Sequence, residues 1–146
     1  MLEQLEIYLA RNFGIEVIER PLELTSSVLI NSPMGTDKVL ILHEDISQKE
    51  RTYLALLSAA HILLGHDSSA PLGTIVEPLP EGSSFQLTPE EENQRLQARI
   101  LAQGILKKRV NRYWDVIWDA VNEAEVQGDI LVEDVRAEAL ALSRLV

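Results

Sequence analysis

The run from Ser47 to Asp67, SQKERTYLALLSAAHILLGHD, leaves fewer folding options than any other stretch of the chain. Ser47 is a helix-capping residue, and Glu50 three positions on completes a capping box. Past Arg51 there is no charge until His61 and His66, and Leu54, Leu56, Leu57, Ile62, Leu63 and Leu64 leave almost no polar face. A helix that is apolar all round is enclosed by the rest of its domain. The apolar span Leu54–Leu64 is eleven residues long, against the roughly 20 needed to cross a bilayer. The stretch therefore reads as the central buried helix of a globular domain, ended at Gly65 by a left-handed backbone.

His61 is the odd residue on that helix. One reading is a core histidine held by a hydrogen bond; the other is a metal ligand. A helical zinc site of the H-E-x-x-H type sets two histidines at i and i+4 on one face, with a glutamate beside the first as general base. Four residues before His61 stands Leu57, followed by Ser58. Leucine has no lone pair to give, and a serine hydroxyl is a poor base near neutral pH. His66 cannot replace the missing ligand, because five residues of helix turn it about 140° away from His61. A Ser58–His61 dyad has no evident acidic third member, and a helix interior is a poor place for a nucleophile.

The segment AAHILLGH (Ala59–His66) resembles the signature of the ImmA/IrrE family of metallopeptidase-like proteins, which reads close to AHELGHLLLGH. Aligned on the shared ending, the family's first histidine falls on Leu57, its glutamate on Ser58 and its second histidine on His61. EENQRLQARIL (Glu91–Leu101) is similar to the family's second block, EANRFAAELL, which sets the ligand glutamate on Glu92 with Glu91 beside it. Residues 28–57 resemble the family's hairpin leading into the active-site helix, so the likeness runs from about residue 10 to about residue 105. It implies a zincin-like minimal domain in which at most two ligands, His61 and Glu92, survive. A catalytic zinc needs three protein ligands and an open position for water. No metal or other cofactor is therefore expected.

A chain of 146 residues with 46% hydrophobic and 25% charged residues is an ordinary globular protein with a real core. The absence of cysteine excludes disulfides and thiolate metal sites. The N-terminus carries Glu3 and Glu6 and no basic n-region, so no signal peptide is expected and the expected compartment is the cytoplasm. A net charge of −10 repels phosphate backbones and makes nucleic acid an unfavourable partner.

Taken in order, Leu2, Leu5, Leu9 and Phe13 predict an amphipathic helix, its stripe widened by Ile7 and Tyr8 and its end set by Gly14. Ile15–Ile18 is a short strand, and Pro21 behind it favours a sheet edge. Ser27–Asn31 and Lys38–His43 flank SPMGTD as the arms of a hairpin, the second apolar enough to be covered on both faces. His43 closes it as a strand-end residue. Asp67–Gln86, with three prolines, two glycines and four serines, reads as a loop with a short extended piece at Thr74–Val76. Thr88, Pro89 and Glu91 open a capped helix, which gives Glu90, Glu91 and Glu92 an ordinary role at its positive end. Leu96, Ile100, Leu101 and Ile105 are its expected inward face.

Lys107, Lys108, Arg109 and Arg112 then cluster. They suit the negative end of a helix, or a docking patch for an acidic partner. Tyr113, Trp114, Ile117, Trp118 and Val121 form an apolar helical face, with Ile117 and Trp118 assigned to the core and Trp114 a candidate anchor for a partner. Beyond Gly128, Asp129 caps a last helix bearing Leu131, Val135, Ala139 and Leu142. Its acidic residues Glu133, Asp134 and Glu138 argue against a DNA-reading helix.

The expected architecture is thus α+β: a small antiparallel sheet of about three strands on a buried central helix in residues 1–107, with residues 108–146 a helical extension packed on the same domain. The expected function is a catalytically inactive, protein-binding or regulatory module with no membrane partner. Its partner, by the resemblance, would be a phage-type or stress-response repressor, the setting of a phage or other mobile element. Two other readings compete. One is an active zinc metallopeptidase recruiting His43 or Asp67. The other is a structural protein that forms a homodimer through the Trp114 face.

Overall fold

The computed structural model describes residues 2–23, 25–31, 38–65, 74–77, 88–122 and 132–146. In chain order these form α1 (Leu2–Phe13), β1 (Ile15–Arg20), β2 (Ser27–Asn31), β3 (Lys38–His43), α2 (Gln48–Leu63), β4 (Thr74–Glu77), α3 (Pro89–Leu106), α4 (Val110–Asn122) and α5 (Val132–Ser143). The class is α+β, as the sequence implies. The SPMGTD turn, His66, Asp67, Gly128, Asp129 and Leu131 lie outside the described residues.

The sheet differs from the expected antiparallel three. It has four strands in the order β1-β3-β2-β4 and is mixed. β2 pairs antiparallel with β3, Ser27 opposite Leu42 and Asn31 opposite Lys38, as the hairpin reading requires. β1, however, runs parallel to β3, from Ile15 opposite Lys38 to Arg20 opposite His43. β3 takes the place between β1 and β2, so β2 does not pair with β1. β1 is nonetheless an edge strand, as Pro21 argued, and the extended piece at Thr74 is the other edge.

Register explains which face is covered. Val17, Leu40, Leu29 and Ile75 stand opposite one another across all four strands and belong to or pack on the core. The alternating row, Ile18, Ile41, Val28 and Val76, is only half-buried. Period-two alternation sends these rows to opposite faces. β3 is therefore fully buried on one face, through Leu40 and Leu42, rather than on both.

The helices fill that covered face. Leu5 and Leu9 of α1 are fully buried, whereas Ile7 is 47% exposed and lies off the stripe that it was expected to widen. Gly14, at φ 66°, ends α1, and its carbonyl accepts from Lys38 N at 2.8 Å, which starts the parallel pairing. α2 is wrapped by α1, α3 and β3, and every residue from Leu54 to His61 is buried. Ser47 Oγ accepts from Glu50 N at 3.1 Å, while the Glu50 carboxylate accepts from Ser26 Oγ at 3.4 Å and so ties the helix start to the residue before β2. Gly65, at φ 75°, follows the end of α2 as expected. α3 carries the full capping box between Thr88 and Glu91 with Pro89 in its first turn.

The inward face of α3 is Ala98, Leu101, Ala102 and Ile105; Leu96, expected inside, is 53% exposed. At Gly104 the approach of α4 is close, since a Cβ there would stand 2.8 Å from Ile117 Cδ1. α5 buries Val135, Ala139 and Leu142 at the predicted spacing. Its Glu138 accepts a 2.7 Å hydrogen bond from Tyr8 of α1, so the first and last helices are joined directly. Among the described residues, no helix is long and apolar enough to cross a membrane.

Candidate functional site

Three side chains on one side of α2 decide what its central stretch can do. Leu57 and His61, four residues apart, are each 2% exposed, and Ser58 is 5% exposed. Leu57 belongs to the hydrophobic core. Ser58 Oγ donates to the carbonyl of Leu54 at 3.0 Å. That back-bond turns the only proton of the hydroxyl into its own helix. His61 is enclosed by packing and has a partner of its own.

Glu91 and Glu92 sit on the neighbouring helix, since α2 and α3 pack directly. Glu92 lies in the first turn of α3 and its side chain is exposed. Glu91 closes the capping box, accepting from Thr88 N at 3.2 Å. No group of three His, Asp or Glu side chains that could hold a metal exists among the described residues. The groups at these positions do not fit a catalytic zinc: one is a hydrocarbon, one is a back-bonded hydroxyl, and the carboxylate faces solvent. His43, offered as a substitute ligand, uses its Nδ1 to accept from Asp45 N at 2.9 Å and caps the turn after β3. Asp67, the other substitute, is outside the described residues.

Sequence reasoning missed Arg95, one turn after Glu92. It is 8% exposed, and its Nη1 donates to Val76 O of the edge strand β4 at 2.9 Å. The bond stitches α3 to the sheet edge and satisfies a strand carbonyl. No local pattern announces it, because an arginine in a helix otherwise reads as a solvated residue.

The cationic cluster occupies the joint between α3 and α4. Lys107 caps α3 at its C-terminus, and Lys108 follows with φ 56°. Lys108 N donates to Ile105 O at 3.1 Å and Arg109 N to Gly104 O at 2.9 Å, the paired bonds of a Schellman turn. Lysine thus holds the left-handed position that glycine usually fills. Lys107, Lys108, Arg109 and Arg112 are all exposed. Arg112 lies over the Tyr113 ring, 5.9 Å from its centroid. Tyr113 itself has φ −122° and ψ 28°, which kinks α4.

Trp114 does not protrude beside this cluster. It is 6% exposed and stacks on Trp118, with ring centroids 5.6 Å apart and an interplanar angle of 24°. Ile117 is buried, as assigned, while Trp118 is the half-buried member of the pair. The exposed apolar residues of α4 are Tyr113 at 48% and Val116 at 68%. Between α3 and α4 runs a groove of about 320 Å³ lined by Ile100, Gly104, Val116 and Ala120, with Arg99, Lys107 and Arg109 along it.

Comparison of the chain with protein-family models, curated proteins and solved structures finds no match.

Proposed function

We propose that the protein is a catalytically inactive relative of the ImmA/IrrE metallopeptidases, with a zincin-like domain, that acts as a protein-binding or regulatory module. The observation that carries this reading is the closed face of α2. Where the resemblance puts a zinc ligand and a general base, Leu57 and Ser58 are packed into the core at 2% and 5% exposure. Metal-assisted hydrolysis needs an open coordination position and a base beside it, and that face has neither to offer. The order of elements supports the ancestry: a hairpin enters the central helix, and the helix bearing Glu92 packs against it. The partner class that follows from the resemblance is a phage-type or stress-response repressor, held without being cut.

The test is co-expression with repressors from the native host, with zinc supplied, followed by size-exclusion chromatography and mass spectrometry of the repressor. A co-eluting repressor of intact mass is the expected result. Cleavage fragments that disappear in the His61→Ala variant would overturn the reading.

A further inference from the structure

We infer that the α3–α4 groove is a docking site for an acidic amphipathic segment of a partner protein. The inference rests on the binding-module reading and gives the partner's chemistry.

Charge segregation is the first observation. Acidic residues outnumber basic ones 23 to 13 in the whole chain, yet between Glu92 and Asp115 there is no acidic residue at all. That interval holds Arg95, Arg99, Lys107, Lys108, Arg109 and Arg112. Arg95 donates to the β4 carbonyl and Arg99 has a partner of its own; Lys107, Lys108, Arg109 and Arg112 are exposed at the joint and the start of α4. A helix C-terminus accounts for cations near Lys107, but the same logic disfavours Arg112 in the first turn of α4, at that helix's positive end. Lys108 carries its charge on a left-handed backbone, φ 56°, that L-residues rarely adopt.

Exposed apolar surface is the second observation. Of the four large hydrophobic residues exposed among the described residues, Leu96, Tyr113 and Val116 lie in or directly beside this interval, on α3 and α4. Val116 is also a wall of the groove, and Leu96 stands one helical turn from the lining residue Ile100. The 320 Å³ groove is at the small end of ligand pockets, enough for anchor side chains rather than a cofactor.

An apolar floor with cations along it matches an amphipathic helix that presents leucine-like anchors at i, i+3 and i+4 and carboxylates on its flanks. A second copy of the chain meeting this face symmetrically would set cation against cation. Nucleic acid would have to approach a molecule of net charge −10, and phosphates gain nothing from Ile100, Val116 and Ala120. Asp115 and Asp119, exposed on α4, do not line the groove; they would bias the acidic segment toward the α3 side.

The test uses a fluorescein-labelled helical peptide of about 20 residues with leucine on one face and glutamate on the other. A lysine-for-glutamate version and a short DNA duplex serve as comparison probes, all read by fluorescence anisotropy. Saturable binding of the glutamate peptide is expected, weakened at least tenfold by Lys107→Glu with Arg109→Glu and by Val116→Asp, with circular dichroism unchanged. In ¹⁵N spectra the peptide should shift the amides of Gln103, Gly104 and Ala120. Any of four results overturns the docking site: no binding of the glutamate peptide, binding indifferent to both variants, tighter binding of the DNA duplex, or a dimer in light scattering that Val116→Asp dissociates. These leave the loss of catalysis untouched, whereas repressor cleavage would remove the pseudo-peptidase reading and leave the groove standing.

Discussion

Truncating Leu57 tests whether the helix face on which the resemblance would set a metal ligand is solid core. The side chain is 2% exposed and Ala60, three residues on along the same side of the helix, is fully buried. A methyl group cannot swing in to fill a hole. Leu57→Ala removes a transfer term of about 1.5–3 kcal/mol and adds a cavity term, for a total of about 3 kcal/mol within the usual 2–5 range. Leu96→Ala is the internal control: the same atoms leave a residue that is 53% exposed, and the cost should stay below about 1 kcal/mol. Leu57→His, which restores the histidine of the resemblance, should be worse than alanine near neutral pH. The imidazole fills part of the cavity but brings a polar ring into it at about 1–3 kcal/mol if unpartnered. Its cost grows as pH falls through about 6.5, because burial penalises the charged form. Urea unfolding followed by circular dichroism at constant m reads all three. A cost under about 1 kcal/mol for Leu57→Ala, or a Leu57→His protein that gains stability with added zinc, would refute the closed-face reasoning.

Three further outcomes follow from other parts of the fold. Lys108→Gly should stabilise the protein by about 1 kcal/mol, because it removes the strain of φ 56° and glycine suits that turn position; thermal unfolding checks it. Gly104→Leu should cost about 1–3 kcal/mol by overpacking α3 against Ile117, read as a lower urea midpoint. Burial, with the hydrogen bond to Glu138 and its charge, raises the Tyr8 phenol from 10.0 to about 12. The raised value favours the neutral phenol in the folded state, so that stability is whole below pH 10 and is lost as pH rises through about 12. Tyr8→Phe should cost about 1 kcal/mol at pH 7 and should flatten that alkaline loss, measured by unfolding at pH 8 to 12.

Local signals were legible wherever a residue acts on its own element. Gly14 and Gly65 end their helices at positive φ, Thr88 and Glu91 cap α3, and Val135, Ala139 and Leu142 keep their spacing. What escaped the sequence is pairing at a distance. β1 beside β3 rather than β2 depends on a long-range choice that no period-two pattern encodes. Leu96 was read inward because it lies four residues before Ile100, yet the packed stripe of α3 runs through Ala98, Leu101 and Ala102. The Schellman turn at Lys108 was invisible without its usual glycine, and Arg95 reaching Val76 needs the sheet edge to be known. At the candidate site, Leu57 and Ser58 standing where the resemblance would set a ligand and a base could be read directly. Their burial, the back-bond of Ser58 and the solvent exposure of Glu92 could not.

Metal content tests the proposed loss of catalysis most directly. The protein, purified without chelator and equilibrated with zinc, should carry well under one zinc per chain by mass spectrometry, and His61→Ala should not change that figure. One tightly held zinc per chain, released by His61→Ala and by Glu92→Gln but not by His43→Ala, would contradict the account.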